Sequence, residues 1–406
     1  MEEFLKYKKS PWGNIPYHWV ISSIKDETEV VTDYVANGSF ASLAENVKYK
    51  SEKDYAVLIR LVDYNNQFKG DFVYIDKDAY EFLGKSKLYG DEIIISNVGA
   101  NVGTVFKCPH LEFKMSLAPN SIMVKFKGNN DFYYYWLKSR FGQHMLQSIV
   151  TGSAQPKFNK TNFRDLHIPV PPLCEQENIA SILKSLDDKI EVNKRINDNL
   201  EQQAQALFKS WFVDFEPFKD GEFMESELGM IPKGWRMGKL GELCQFKRGK
   251  GLLSKNAIPG DVPVVAGGLE PACYHNVSNT KAPVITVSGS GANAGFMRMY
   301  YQEVWASDCS FIDITCENWL FVYCFLAINS HLLRHAQTGA VQPHVKPADI
   351  HEFDLAIPPK EVIQSFQNSI QPFISKKGLI EQESQKLAAI RDTLLPRLMS
   401  GEIKIT

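Results

Sequence analysis

The feature that most constrains the fold of this 406-residue chain is that its sequence motifs occur twice, in the same order. The repeated motifs are Gly-x-Ile-Pro-x-x-Trp at 13–19 and 229–235, Gly-Ala-Asn-x-Gly at 99–103 and 291–295, and Thr-Gly-x-x-Gln-Pro at 151–156 and 338–343. Three ordered matches indicate a duplicated domain. The first two motifs stand closer together in the second copy, so the copies share their ends and differ in their middles.

A heptad pattern follows each copy and predicts two long helices. After each Pro-Pro pair, heptad positions recur at alternating intervals of four and three residues, most of them apolar, with Asn193, Asn197 and Ala204 at the remaining positions of the first run and Lys377, Ser384 and Arg391 at those of the second. A stripe of this kind can pack against its own domain, but two stripes in equal register favour pairing of the helices with each other. Pro372 and Gly378 predict a kink or a late start in the second helix. The predicted interface positions are Ile179, Leu183, Leu186, Ile190, Leu200, Leu207 and Trp211 in the first helix, and Phe366, Ile370, Phe373, Ile380, Leu387, Leu394 and Leu398 in the second.

The order of these segments predicts an α+β architecture. Short β-branched runs that end at Gly-rich turns predict a mainly β domain with one or two helices in each copy. Because the second copy starts where the first helix ends and leads into the second helix, two similar domains alternate with two helices that pair as an antiparallel coiled coil, with pseudo-two-fold symmetry. The predicted borders are 1–172 for the first domain, 173–214 for the first helix, 215–359 for the second domain, and 360–406 for the second helix and tail.

Composition excludes several classes of protein. The 45 Lys and Arg residues nearly balance 47 Asp and Glu residues, which argues against a histone-like binder but leaves room for a local basic groove. The seven cysteines are scattered without a Cys-x-x-Cys motif, so we expect neither a disulfide framework nor a zinc site. The charged N-terminus and the lack of an apolar run near ~18 residues predict a cytoplasmic protein with no membrane partner.

Catalytic motifs are missing from the sequence. It contains no phosphate-binding Gly-x-x-x-x-Gly-Lys-Ser/Thr loop, no nucleophile elbow and no His-Glu-x-x-His metal motif. Gly289, Gly291 and Gly295 approach a dinucleotide fingerprint, but the last interval is too long, and a turn explains them better. The Pro-Pro pairs lack the preceding Asn or Asp of amino-methyltransferases. The chain is therefore predicted to bind rather than to catalyse, without a metal or cofactor of its own.

Two further segments carry a family resemblance. The run from Leu207 to Phe218 and the run from Leu394 to Ile403 closely resemble the helix ends of type I restriction–modification specificity (S) subunits, and the duplicated motifs resemble their domain borders. The resemblance implies two target recognition domains, each recognising one half of a bipartite, asymmetric sequence in double-stranded DNA, with a helical rod that sets the spacer. It also implies two modification subunits that use S-adenosylmethionine to methylate adenine, and restriction subunits that use ATP and Mg²⁺ for cleavage.

Candidate DNA contacts follow from residue type alone, because the recognition loops vary freely within the family. Arg, Lys, Asn and Gln can contact base edges, and further cations can contact phosphates. The Lys and Arg residues of the Gly-bearing segment 245–251 are the strongest candidates, whereas Asn101 and Asn293 can equally stabilise their own turns. The candidates are Lys48, Lys50, Arg60, Asn65, Asn66, Lys69, Asn101, Lys157, Lys160, Lys247, Arg248, Lys250, Asn293, Arg298, His344 and Lys346.

Two other functions remain open from the sequence. A tandem β-domain scaffold on a coiled-coil spacer would bind protein or glycan ligands, and would be distinguished by capture of such partners without a methylation subunit. A self-contained DNA enzyme would have to transfer methyl groups alone, which the missing motifs argue against.

Overall fold

The computed structural model describes residues 7–338 and 343–405, and the chain divides into two compact units. The first unit comprises residues 1–190 and 386–406, and the second comprises residues 191–385. Each globular part is thus grouped with the adjoining parts of both long helices. Gly339 and Gln342 of the repeated Thr-Gly-x-x-Gln-Pro motif lie outside the described residues.

The first unit combines short strands with short helices. Its strands are β1 (Tyr7–Ser10), β2 (Gly13–Pro16), β3 (Val20–Ser23), β4 (Thr28–Asp33), β5 (Ala56–Ile59), β6 (Val73–Ile75), β7 (Lys87–Leu88), β8 (Ile93–Ser96), β9 (Val105–Lys107), β10 (Lys114–Leu117), β11 (Ser121–Phe126) and β12 (His167–Val170). Its helices are α1 (Ile24–Glu27), α2 (Phe40–Asn46), α3 (Leu61–Asn65), α4 (Lys77–Phe82), α5 (Asn130–Lys138), α6 (Arg140–Ser148) and α7 (Lys160–Arg164), which is more than the one or two helices expected. The first long helix, α8 (Leu173–Phe212), follows.

Strand β8 shows how the first unit covers both faces of its larger sheet. Ile93 and Ile95 belong to the same core as helices α5 and α6, whereas Ile94 belongs to a separate core with the smaller sheet. All three side chains are fully buried. Successive strand residues point to opposite faces, so a continuous apolar run is what a sheet buried on both sides requires.

The second unit has the same kinds of element. Its strands are β13 (Phe223–Ser226), β14 (Gly229–Pro232), β15 (Arg236–Lys239), β16 (Lys247–Arg248), β17 (Val262–Val265), β18 (Cys273–His275), β19 (Val284–Ser288), β20 (Met297–Tyr300), β21 (Trp305–Ala306), β22 (Cys309–Asp313) and β23 (Asp354–Ile357). Its helices are α9 (Leu240–Leu243), α10 (Trp319–Ile328), α11 (Ser330–His335) and α12 (Pro347–His351), and the second long helix is α13 (Lys360–Met399).

The strand plan of the first unit recurs in the second. Hairpin β13–β14 corresponds to β1–β2, pair β15–β23 to β3–β12, and the four-stranded order β16–β22–β19–β20 to β4–β11–β8–β9. The smaller sheets differ, with order β6–β5–β10–β7 in the first unit and β18–β17–β21 in the second. No α-helix in the described residues of the second unit takes the place of α2, α3 and α4. The copies therefore share one scaffold and diverge in the smaller sheet and its surroundings, which confirms the expected internal repeat.

Within the second unit, α8 and α13 run antiparallel. Asn193 Nδ2 donates to Glu383 Oε2 at 2.8 Å, and the ring of Phe208 lies 5.5 Å from that of Phe366, so rising residue numbers on α8 meet falling numbers on α13. The predicted interface positions of both helices are buried or half-buried in their own units. The knobs-into-holes packing of a coiled coil and the pseudo-two-fold axis stay predictions.

Helix α13 runs from Lys360 to Met399 without interruption, so the late start expected at Pro372 and Gly378 is wrong, while the kink stays a prediction. Pro372 is exposed, whereas Phe366 and Ile370 are fully buried in the aromatic core of the second unit. Each such burial contributes about 2 kcal/mol. Several together outweigh the roughly 3 kcal/mol that a proline costs inside a helix.

One pair of cysteines forms a disulfide that the sequence did not predict. Cys244 and Cys316 form a disulfide across 72 residues of sequence, a separation at which spacing gives no signal. Among residues 7–338 and 343–405, no group of three or more His, Cys, Asp or Glu side chains could hold a metal ion. Within the same residues, no helix is both long and apolar enough to cross a membrane.

Candidate nucleic-acid interface

The Gly-Ala-Asn-x-Gly loop of the first unit is held by the segment that follows the Thr-Gly pair. Val98 forms a β-bridge with Lys157, and the Gly99 N–H donates to the Pro156 carbonyl at 2.9 Å. Gly99 has a φ of 100°, which favours glycine. The side chains of Lys157 and Asn101 are exposed, and no carboxylate in the described part of the chain forms an ion pair with Lys157.

The second unit builds the same arrangement. Ser290 forms a β-bridge with His344, and the Gly291 N–H donates to the Pro343 carbonyl at 3.1 Å. Lys157 and His344 therefore occupy equivalent places in the two units. The shared motifs form a common loop support, from which the units present different side chains.

Three of the predicted cations in the first unit are neutralised by neighbouring carboxylates. Lys50 Nζ lies 2.6 Å from Asp54, and hydrogen bonding to this ammonium keeps the pKa of Asp54 below its usual range. Arg60 donates to buried Asp63 at 2.6 Å. Lys160 forms an ion pair with a third aspartate at 3.1 Å. These cations are partly committed to holding the fold.

The other candidates of this region are more accessible. Lys48 is exposed after α2, with its ammonium donating to the Ala44 carbonyl. Asn65, Asn66 and Lys69 are exposed at and after the end of α3. The structure thus places four polar side chains at the surface of the part of the first unit that diverges from the second.

A groove that we call the Tyr49 groove runs through the same region. It consists of two adjoining cavities of about 570 and 400 Å³. Residues that line both cavities are Tyr49, Val98, Pro119, Asn120 and Ser121. Arg60 lines the second cavity, and Phe40, which is 82% exposed, lines the first. The groove therefore joins the common loop support to the divergent smaller sheet.

In the second unit, Arg248 lies at a corresponding edge. Its guanidinium donates to Asp308, which also accepts a hydrogen bond from the Ser290 hydroxyl. A Cβ on Gly289 would come within 2.4 Å of Arg248 Nη1, so glycine lets the guanidinium lie against the backbone. The side chain of Arg248 is 46% exposed. An arginine oriented by a carboxylate in this way still presents donors to solvent.

The remaining cations of this unit are at the surface. Lys247, Lys250 and Lys346 are exposed. The Lys250 carbonyl accepts a hydrogen bond from Trp305 Nε1 at 2.8 Å, which fixes the backbone of the Gly-bearing segment. The ammonium groups of the three lysines are therefore accessible to an anionic ligand.

Asn293 and Arg298 lie elsewhere, in a cavity of about 780 Å³ that parts of α8 and α13 also line. Arg298 packs over the Tyr300 ring at 4.9 Å and donates to the Leu269 carbonyl at 2.9 Å. In the same cavity, burial raises the pKa of Glu381 despite the opposing charge of Arg298. These two candidates face the long helices of their own unit as well as solvent.

A charged cluster joins the long helices to α10 in the second unit. Glu201 of α8 accepts hydrogen bonds from Lys377 of α13 and from Tyr323 of α10. Burial alone would raise the pKa of Glu201, but Lys377 and Tyr323 hold it below its ordinary value. Burial together with the Glu201 charge raises the pKa of Tyr323. The cluster keeps the carboxylate charged inside the unit.

The first unit contains a cluster of the same composition. Asp187 of α8 accepts from Arg391 of α13 at 2.7 Å and from Tyr135 of α5 at 2.8 Å. Burial is the main cause that raises the pKa of Tyr135, and the Asp187 charge adds to it. In both units α8 supplies the acid and α13 the cation.

Sequence reasoning missed Asn120 and Asp308, whose equivalence depends on backbone geometry. The Asn97 N–H donates to the Asn120 carbonyl at 3.0 Å in the first unit, and the Gly289 N–H donates to the Asp308 carbonyl at 3.1 Å in the second. Each acceptor immediately precedes an inner strand of the larger sheet, β11 in the first unit and β22 in the second. The only local sign in the sequence is a turn dipeptide, Pro119-Asn120.

Comparisons with known proteins agree with this duplicated arrangement. A family model of the type I restriction modification DNA specificity domain matches residues 16–202 and residues 232–390. The fold and the two matches define a protein with two DNA specificity domains. The chain belongs to the family of type I restriction–modification specificity subunits.

Relatives of known name extend over most of the chain. It is 27% identical over 434 residues to the type I restriction enzyme MjaIX specificity subunit of Methanocaldococcus jannaschii, covering 98% of this chain and 97% of that protein. It is 26% identical over 328 residues to the type I restriction enzyme HindI specificity subunit of Haemophilus influenzae, covering 61% and 71%. The crystal structure of the S subunit from M. genitalium shares the fold, with a TM-score of 0.59 at 17% identity, covering 98% of this chain and 100% of that one.

Proposed function

We propose that each unit recognises one half of a bipartite, asymmetric DNA target, and that the long helices set the spacer between the halves. The observation that carries this proposal is the shared scaffold with unlike smaller sheets. A common scaffold suits one type of ligand, and divergent recognition surfaces suit two different base sequences. Two identical domains would instead match a palindrome.

The long helices suit the role of a spacer. Each spans 40 residues, which at 1.5 Å per residue gives a length of about 60 Å. Ion pairs and hydrogen bonds join α8 to α13 within each unit, as at Asp187 with Arg391 and at Glu201 with Lys377. A helix pair braced in this way holds a fixed length, which is what a spacer of constant base-pair number requires.

The helices also suit docking of two modification subunits. Leu379, Ile196 and Val192 of the second unit are 64%, 39% and 42% exposed, and Ile390 of the first unit is 48% exposed. Exposed apolar side chains on otherwise polar helices are typical of protein contacts. In the proposal the modification subunits bind S-adenosylmethionine and methylate adenine, and restriction subunits use ATP and Mg²⁺ for cleavage, so this chain needs no cofactor.

Competition binding tests the proposal. The full chain in complex with its modification subunits is bound to labelled DNA that carries its methylation motif, in moderate salt. Competitors keep both halves, replace one half, or change the spacer by a few base pairs. We expect strong competition only from DNA with both halves at the native spacing. Equal competition by all DNAs, which is the behaviour of binding to phosphates alone, would contradict the proposal.

A further inference from the structure

Asn120 and Asp308 hold equivalent positions, as their carbonyl bonds to Asn97 and Gly289 show. The side chains at these positions differ in chemistry. The first unit presents a neutral amide, whereas the second presents a carboxylate that holds Arg248. A position that is fixed by a shared backbone but differs in donor and acceptor pattern is what two unlike half-sites require.

Asn120 is free to contact a ligand. Its side chain is exposed, and its amide has no hydrogen-bond partner in the part of the chain that the structure describes. Its φ is 66°, a left-handed conformation that asparagine tolerates better than most side chains, and that glycine adopts without strain. The backbone thus needs a residue of this kind, but the amide itself serves no contact within the fold.

The surroundings of Asn120 favour a DNA strand as the occupant. It lines both cavities of the Tyr49 groove, whose rim carries the exposed rings of Phe40 and Tyr49. Exposed rings of this kind can pack against sugars and bases. Lys48 immediately precedes Tyr49 in the chain, and Lys157 forms a β-bridge with Val98. Neither lysine forms an ion pair with a carboxylate among the described residues.

Arg248 has the matching properties in the second unit. Asp308 fixes one end of its guanidinium, and Gly289 lets the group lie against the backbone. Its Nε and Nη1 atoms have no hydrogen-bond partner in residues 7–338 and 343–405. The group is therefore oriented and still able to donate.

We propose that the two units recognise different bases beside this equivalent position, with Asn120 itself contacting an adenine in one half-site and Arg248, which Asp308 holds from the start of the neighbouring strand, contacting a guanine in the other. An asparagine amide matches the N6 and N7 atoms of adenine, and an arginine matches the O6 and N7 atoms of guanine. This inference rests on the proposed bipartite function. It adds the two residues that make the half-sites unlike.

Substitutions can remove each contact and keep the fold. Asn120→Gly retains the left-handed backbone without the amide, and Asn120→Asp retains the shape with acceptors alone. Arg248→Lys retains the charge without the planar group. Matched controls are Asp91→Gly, an exposed residue with a φ of 66° outside the groove, and Arg236→Lys, an exposed arginine paired with Glu242.

The assay measures methylation of oligonucleotides by the complete complex with modification subunits, with each base pair of both half-sites changed in turn. We expect Asn120→Gly to reduce discrimination about tenfold to hundredfold at one adenine of one half only. Asn120→Asp should reduce discrimination at the same adenine, and Arg248→Lys should reduce discrimination at one guanine of the other half. The two controls should retain the wild-type pattern.

Other results would overturn the inference. An unchanged preference at every position, relaxation in both halves by one substitution, or a uniform loss on all DNAs would each show that these residues do not select bases. A wild-type complex that recognises one uninterrupted sequence would instead contradict the proposed bipartite function, so the two failures can be told apart.

Discussion

At the scale of single residues, Gly378 shows how a helix position can be fixed by a neighbour from another element. A Cβ at this position would lie 2.7 Å from Tyr301 Cδ1 and 3.1 Å from Tyr301 Cγ. These atoms lie near the ring attachment and not at a mobile end, so the ring cannot easily withdraw. The glycine that predicted a weak helix from the sequence is required by close packing of Tyr301 on α13.

Gly378→Ala should therefore destabilise the chain although alanine favours helix formation. Overpacking of about 1–3 kcal/mol exceeds the gain of about 1 kcal/mol in helix propensity. Urea unfolding of the full chain measures the change. Ser375→Ala, at an exposed position of the same helix, is the control and should be neutral or slightly stabilising. A stabilised Gly378→Ala variant would show that Tyr301 does not constrain this position.

The Glu201–Lys377 pair predicts a specific pH dependence. Because the folded-state pKa of Glu201 lies below its ordinary value of 4.5, the pair stabilises the fold above that pH and loses this contribution as the pH falls. Lys377→Met leaves the carboxylate without its cation, at a cost of about 2 kcal/mol near neutrality for a pair that is not fully buried. The loss should shrink as the pH falls, because Glu201 becomes protonated and burial without Lys377 raises its pKa.

Urea unfolding measured from about pH 3 to about pH 8, a range that includes the ordinary pKa of a glutamate, tests this dependence. Glu201→Gln combined with Lys377→Met should cost less at neutral pH than Lys377→Met alone, since no unpaired charge remains. A Lys377→Met penalty that is constant with pH would mean that the charge of Glu201 does not depend on this cation.

At the scale of elements, the long helices combine apolar and polar interface positions. Asn193 is only 1% exposed, and it donates to Glu383 and to Ser384 Oγ at 2.8 and 3.2 Å, while its Oδ1 has no partner in the described structure. A buried asparagine in a helix interface costs stability and fixes register. The polar position therefore favours one alignment of the two helices over shifted ones.

Asn193→Leu should raise the free energy of unfolding by roughly 1 kcal/mol or more, because apolar contact replaces an incompletely bonded amide. It should also allow the long helices to pair with those of another copy of the chain. Sedimentation at high concentration should therefore detect more self-association. Asn178→Leu, at an exposed position of α8, should give neither stabilisation nor altered helix pairing. A destabilised Asn193→Leu variant would assign Asn193 to stability instead of register.

The sequence predicted these elements well where the signal was local. Repeated motifs and the heptad pattern predicted two sheet-rich domains and the long helices, which the structure confirms. The continuity of α13 was not predictable, because the packing of Phe366 and Ile370 that overcomes Pro372 comes from distant aromatic residues. Asn120 was missed for a similar reason, since its position is defined by a backbone bond to Asn97. The DNA contacts chosen by residue type stay predictions.

At the scale of the whole molecule, one chain contains two versions of the same domain. The larger sheets follow one strand order, and the smaller sheets do not. Duplication followed by divergence of one part gives two unlike surfaces on related scaffolds. In the proposed function this arrangement lets a single chain recognise an asymmetric target.

Docking of modification subunits gives a prediction at this scale. Leu379→Glu places a charge on an exposed apolar side chain of α13, and should weaken association with the modification subunits about tenfold or more without changing the unfolding of the isolated chain. Leu253→Glu is the control, since Leu253 is 62% exposed in the second unit but away from the long helices in sequence. Calorimetric titration measures both affinities, and equal values would place docking elsewhere.

Mapping of methylated adenines in DNA from cells that carry the complete system tests the central claim most directly. Two unlike domains in one chain predict a motif of two different short sequences, separated by a spacer of constant length and undefined sequence. A single uninterrupted motif, or two halves that repeat each other as a palindrome, would contradict the claim that each unit recognises its own half-site.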